Sequence, residues 1–205
     1  MPIVFNESAG TISGISVGGL PDGIVDTDML AANAVTSAKS SGLATTNGIT
    51  MADRWGLTGN FNLTNANTYY TITGTWGRST TAGYTGSSSI GSAMTESSGV
   101  FTFPSTGIYY IIYDCLTGTS NDQLNMWSYI TVGADNTSTA YASVKASSGD
   151  SGTMNTVTHC TLLDVTDVSA QKVFFRGYAA NTGCYVSGTS TFQRTAATFI
   201  RLGDT

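Results

Sequence analysis

Charge is the scarcest ingredient of this sequence. Only 21 of its 205 residues are Asp, Glu, Lys or Arg, 10%, against a usual share of about 25%. Helical bundles and coiled coils draw on Ala, Leu, Glu, Lys and Arg, so this composition excludes them. Histidine occurs once, at His159, which leaves no material for a His-rich metal centre. The patterns HExxH, GxSxG and GxxxxGK[ST] are missing, and with them the local signatures of zinc peptidases, serine hydrolases and P-loop enzymes. No apolar run approaches the roughly 18 residues of a membrane-spanning helix. Eight Lys and Arg stand singly in a chain of net charge −5, the wrong pattern for neutralising nucleic-acid phosphates. The three cysteines, Cys115, Cys160 and Cys184, show no CxxC spacing and are expected as free thiols buried in strands. The start, MPIVFNESAG, has neither the basic nor the apolar region of a signal peptide, so synthesis in a cytoplasm is expected. The sequons at Asn62 and Asn136 then carry no glycan, since glycosylation needs the secretory route.

Hydroxyls and small residues take the place of charge. Ser, Thr and Gly number 24, 34 and 24, so 82 of 205 residues are one of the three, and solubility must rest on hydroxyls and amides. Such a surface suits a protein packed into a larger assembly. An apolar share of 40% with ten Tyr is too high for a disordered chain. Thr, Tyr, Val, Ile and Phe favour strands, and Gly, Ser, Asn and Asp favour turns, so the chain reads as all-β.

The first 50 residues differ from the rest. They hold no Tyr or Trp, one Phe (Phe5), and small apolar residues, Ile12, Ile15, Val17 and Leu20 among them, broken up by glycines. Such a stretch closes no core within one chain and needs copies of itself. Residues 28–35 read as a short helix capped by Asp26 or Thr27, with Met29 and Leu30 on its apolar face. Residues 37–48 read as a linker. The division is therefore a stem or anchoring segment over 1–50 and a strand-rich head over 51–205. Strands are expected at 69–76, 99–103, 108–116, 124–132, 140–145, 156–165, 171–180 and 191–202, separated by turn clusters at 118–122, 133–138, 147–152 and 181–183. Eight short strands without a crossover helix indicate a sandwich or jelly roll and exclude a parallel sheet.

The run Gly99-Val100-Phe101-Thr102-Phe103-Pro104-Ser105-Thr106-Gly107-Ile108-Tyr109-Tyr110 resembles the second and third strands of the C1q/TNF-like jelly roll. Gly99, Phe101, Phe103, Pro104, Gly107 and Tyr109 carry the likeness: the phenylalanines alternate into a core and Pro104 and Gly107 turn the chain. Leu162 to Val168, then Lys172 to Arg176, and the last strand through Thr198-Phe199-Ile200-Arg201-Leu202, are similar to the later strands of that family. The likeness covers about residues 60–202. The segment GTISGISVGGLPDGIVDTDMLAANAVTSAK resembles the stems of fibre and virion proteins of tailed phages, particularly those of cyanobacteria and marine bacteria. Together these resemblances imply a homotrimeric virion protein, made in the host cytoplasm and placed on the virion surface. The stem, through Ile12, Ile15, Val17, Leu20, Met29 and Leu30, would anchor to capsid or tail proteins.

Candidate sites are few. His159 and Cys160 invite a nucleophile pair, but neighbours on a strand point to opposite faces, so a structural histidine is expected. The turns Asn121-Asp122, Asp135-Asn136 and Asp164/Asp167 offer oxygen ligands for calcium, yet Asx-turn hydrogen bonds account for them without a metal. No cofactor is expected. Among the aromatics, Trp127 alternates with Asn125 and Tyr129 and is expected in the core. Trp55 and Tyr84 lie in less regular segments and are the candidates for stacking on a host surface glycan. The leading functional reading is a short fibre or spike that displays the head for host attachment. A capsid decoration or cement protein is the alternative, and a depolymerase is disfavoured for want of a catalytic signature.

Overall fold

The computed structural model describes residues 4–6, 8, 11–13, 49–73, 76–78, 89–121, 123–135, 137 and 140–205. The chain forms two compact units, Met1–Asn47 and Gly48–Thr205. In the first, β1 (Val4–Asn6) and β2 (Thr11–Ser13) pair antiparallel. Ile12 falls on β2; Ile15, Val17, Leu20, Met29, Leu30, the expected helix over 28–35 and Tyr84 lie outside the described residues.

The second unit is built from β3 (Met51–Leu57), β4 (Phe61–Leu63), β5 (Thr68–Thr71), β6 (Trp76–Gly77), β7 (Ser89–Ile90), β8 (Thr95–Ser97), β9 (Val100–Thr102), β10 (Gly107–Thr119), β11 (Gln123–Gly133), β12 (Ala140–Asp150), β13 (Met154–Val165), β14 (Lys172–Ala179), β15 (Cys184–Val186) and β16 (Ala196–Gly203). Every described pairing is antiparallel. The first sheet runs β4-β15-β10-β16-β3-β6, with β13 on the other side of β10 and β7 on β3. The second runs β12-β11-β14-β9-β8, with β5 on β14. Among the described residues there is no helix, in keeping with the all-β reading.

The core lies between the sheets. Along β10, Tyr109, Ile111, Tyr113 and Cys115 are buried while Ile108, Tyr110, Ile112 and Asp114 turn outward, the period-2 alternation of a strand with one packed face. Phe101 and Phe103 are buried as expected. Phe101 is the hub of the aromatic cluster, 5.3–5.6 Å from Trp55, Trp76, Phe175 and Phe199, and Tyr113 stacks on Phe175 at 4.2 Å. Two glycines of the signature are sterically required. A Cβ on Gly99, at φ +81°, would meet the Ile72 carbonyl oxygen at 2.5 Å, and one on Gly107, at φ +141°, the Gly203 carbonyl oxygen at 2.5 Å. Only glycine adopts such backbone without strain.

Several expectations need correction. The apolar run 69–76 is not one strand: β5 pairs with β14 in the second sheet, whereas β6 pairs with β3 in the first. Ile72 and Trp76 thus enter one core from opposite sheets. The last strand begins at Ala196 rather than 191, because the preceding turn is held by its own bonds, including Thr189 Oγ1 to Thr191 Oγ1 at 3.0 Å and Arg194 to the Ser187 hydroxyl at 3.1 Å. Strands β3, β4, β7, β8 and β15 were not anticipated as separate elements. Trp127 is half-buried on the outer face of the second sheet, since Met126, Ser128 and Ile130 take the inward positions of β11. There Trp127, Tyr129, Tyr69, Tyr178 and Tyr141 form a layer of rings 4.7–5.7 Å apart. Of the three free thiols, Cys115 and Cys184 are buried but Cys160 is exposed, being on the outward parity of β13.

Candidate functional site

The outward face of the first sheet carries what the sheet does not use for its own core. Register places Ile90 opposite Ala52, Ala52 opposite Ile200, Ile200 opposite Tyr110 and Tyr110 opposite Leu162. Directly paired residues share a face, so five strands present one continuous apolar row. Ile90 is 55% exposed and Leu162 63%, and at the same end Ile108 and Leu202 are 37% and 57% exposed. The next row along the strands is Arg54, Thr198, Ile112 and Cys160. Here the surface turns polar: Arg54 donates to Thr198 Oγ1 and Gln193 Oε1, each at 2.6 Å, and pairs with Asp114 at 3.6 Å. Asp114 in turn accepts from the Thr158 hydroxyl at 2.8 Å.

His159 points the other way, between the sheets. Its Nε2 lies 2.7 Å from Ser128 Oγ on β11 and its Nδ1 2.9 Å from Ser143 Oγ on β12, while Tyr113 packs at 5.5 Å. Burial, reinforced by the nearby Lys145 charge, pushes its pKa down to about 4. Burial also pushes the Cys115 thiol up to about 12. The imidazole, bonded to Ser128 and Ser143, ties the two sheets; nucleophilic chemistry by a cysteine needs a thiolate, which burial disfavours at Cys115. Cys160 diverges from His159, as the strand alternation requires.

The remaining candidates are placed as follows. Trp55 is half-buried, with Arg78 4.2 Å over its ring, Phe101 edge-on and its Nε1 donating to Asp53 at 2.9 Å; its ring is already engaged by its own protein. Asp135 Oδ1 accepts from the Thr137 N–H and hydroxyl, and Asp167 Oδ1 from the Ser169 N–H and hydroxyl. Both are therefore Asx turns, and these bonds hold the two carboxyl pKa values below the ordinary carboxylate range. Asp122 and Asn136 lie outside the described residues. Among the described residues no three His, Cys, Asp or Glu side chains converge as a metal site. Sequence reasoning missed the Asp53–Arg78 pair: both oxygens of the buried Asp53 accept from Arg78, at 2.9 and 2.6 Å.

This fold is matched in solved structures. Murine APRIL at pH 5.0 superposes with a TM-score of 0.53 at 10% identity, covering 74% of this chain and 98% of that one. Eiger TNF from S. frugiperda gives 0.52 at 13% identity, over 77% and 96%. The fold is the TNF/C1q-like jelly roll. PRD1 vertex protein P5 also matches, at 12% identity over 77% of this chain and 100% of that one, with a TM-score of 0.42. No protein-family model and no curated protein matches the sequence.

Proposed function

We propose that the chain is a homotrimeric virion structural protein whose jelly-roll head self-associates through the outward face of the first sheet. Its N-terminal segment anchors it to capsid or tail proteins and its head is displayed for host attachment. The observation that carries self-association is the row Ile90, Ala52, Ile200, Tyr110 and Leu162. Contiguous apolar surface of this kind is uncommon on a monomer and marks contact sites. The threefold arrangement, the virion setting and the anchoring role come from the resemblances of sequence set out above. Ser128 and His159 meet at 2.7 Å but both are buried between the sheets, out of reach of a substrate, and the reading is of a binding rather than a catalytic protein.

The test is the mass of the full chain by multi-angle light scattering at micromolar concentration, beside Leu162→Lys. A trimer that Leu162→Lys converts to folded monomer supports the reading; a parent that stays monomeric overturns it. For the anchoring role, particles are assembled with a chain lacking residues 1–45. Incorporation at normal copy number would remove the anchoring assignment.

A further inference from the structure

At the far end of the first sheet, on the same outward side, lies an open recess of about 390 Å³. Eight residues of alternating chain origin between Asn60 and Tyr185 line it, and none carries a charge. It is separated from the apolar row by the eight residue steps of β10 from Tyr110 to Gly118, a span of about 26 Å at 3.3 Å per residue.

Tyr185 is its only ring. Register sets Tyr185 between Gly118 on β10 and Asn62 on β4. A Cβ on Gly118 would come within 2.6 Å of the Tyr185 Cζ, so the missing side chain is what lets the ring lie on the backbone of β10. The ring is half-buried, and its hydroxyl has no hydrogen-bond partner among the described residues. Asn60 Oδ1 accepts from the Gly188 N–H at 3.1 Å and the Ser187 hydroxyl at 3.3 Å. Those bonds fix the amide and leave its two Nδ2 donors unused among the described residues. The Asn62 side chain is exposed and likewise makes no bond among them. The opposite rim is pinned: the Ser120 N–H and hydroxyl donate to the Gly183 carbonyl at 3.0 and 3.2 Å, and Asn121 Nδ2 donates to the Thr182 carbonyl at 2.7 Å.

Among the described residues the recess is uncharged, with one ring and two amides that have free valences. The volume lies in the usual range of small-molecule sites, about 300–1,000 Å³. With no cation it does not select anions, and with no carboxylate it does not hold a hard metal ion. Amides both donate and accept, which is the complement of adjacent sugar hydroxyls, and a fixed ring offers its face to the C–H face of a pyranose. We propose that this recess binds a neutral saccharide, with Tyr185 as the stacking platform and Asn60 and Asn62 as the hydroxyl-reading groups. The biological use of the site rests on the attachment reading above; the binding itself does not.

The probe is a set of neutral methyl hexopyranosides and their short oligomers, with sialic acid as an anionic comparison, titrated against the full-length protein and followed by saturation-transfer and chemical-shift NMR. At least one neutral sugar should bind with Kd of about a millimolar. Tyr185→Ala should weaken it by about tenfold or more, Asn62→Ala by about threefold to tenfold, and Tyr185→Phe, which keeps the ring, by less than about threefold. Light scattering and the unfolding curve check that each variant keeps the parent's assembly and fold. No neutral sugar binding, binding of sialic acid alone, or binding that survives both Tyr185→Ala and Asn62→Ala each overturns the site. Particles carrying Tyr185→Ala separate the two claims. Sugar binding lost with host adsorption intact upholds the site and removes its role in attachment, whereas adsorption by a parent that binds none of the sugars removes the site and leaves attachment standing.

Discussion

Removing Arg78 should cost more than removing any surface arginine, because Asp53 is buried beneath it. Asp53 is 1% exposed on β3, and its carboxylate accepts four hydrogen bonds. Arg78 Nε and Nη2 donate at 2.9 and 2.6 Å, Trp55 Nε1 at 2.9 Å and the Met94 N–H at 2.9 Å. The carboxylate thereby ties the segment after β6 and the approach to β8 onto β3. Arg78→Met keeps the length of the side chain but strands the charge with two neutral donors. Breaking a buried pair from one side costs about 3–5 kcal/mol. The Arg78 side chain is 32% exposed, so water can partly replace it, and we expect the low end, about 3 kcal/mol. That is a large part of the 5–15 kcal/mol of a typical domain. Asp53→Asn in the same chain removes the stranded charge while keeping an acceptor for Trp55 and Met94, so the double variant should recover about 1–2 kcal/mol. Guanidinium unfolding at fixed protein concentration, with unchanged slope, measures both. If Arg78→Met unfolds within about 0.5 kcal/mol of the parent, or the double variant is the weaker of the two, the ion pair is not what holds these segments.

Phe103→Ala should cost about 3–5 kcal/mol, since it empties a buried site, whereas Thr102→Ala, half-buried on the other parity of β9, should melt close to the parent; thermal unfolding decides the register. His159 should make the protein acid-sensitive. Its folded pKa of about 4 lies below the ordinary histidine value of about 6.5, so the unfolded chain takes up a proton that the native one refuses. Stability should therefore fall as pH drops from about 6.5 to about 4, by about 3 kcal/mol in total, and then level off. His159→Gln should flatten that slope in unfolding curves taken across this window. Leu162→Lys should shift the assembly to monomer without lowering the monomer's own unfolding midpoint, because the residue has no core contacts to lose.

The stretch from Phe101 to Tyr113 was legible in the sequence because Phe101 and Phe103 flank Thr102 and the turn spelled out by Pro104 and Gly107 sets where the next strand begins. Where both parities are apolar or neutral, periodicity has nothing to report. Met126, Trp127, Ser128, Tyr129 and Ile130 include large residues on both faces, and the inward position between two of them is a serine that bonds His159 at 2.7 Å. The sequence placed Trp127 in the core on its alternation with Asn125 and Tyr129, and that parity of β11 turns outward. Strand β13 has the same ambiguity, with His159 inside and Leu162 outside. Of the candidate surfaces, Trp55 was offered for its irregular surroundings, yet its partner Arg78 lies 23 positions on, beyond any local rule. Tyr185 sits in a strand of three residues, too short to show a period, and its platform depends on a glycine 67 positions earlier on another strand.

A chain this poor in charge places its few charges unusually. Every described arginine is engaged within the fold: Arg54 with Asp114, Arg78 with Asp53, Arg176 over the Phe174 ring, Arg194 over the Phe192 ring and Arg201 with Asp204. These arginines tie segments of the fold together, while Thr and Ser supply most of the chain's polar side chains. The outward row of the first sheet fits that economy. It contains no charged residue: Asp164 borders it on one side, and Arg54, already paired, on the other. An apolar row of exposed Ile90 and Leu162 with half-buried Ile200 and Tyr110 between them would be a solubility fault in a monomer. Between copies it becomes a surface with no charge to desolvate, so association gains the apolar burial without the several kcal/mol that each unpaired ion would cost. The same reasoning separates the row from the recess at Tyr185. The row offers area without unsatisfied polar groups and suits a protein surface; the recess offers unsatisfied amides around one ring and suits a small polar ligand.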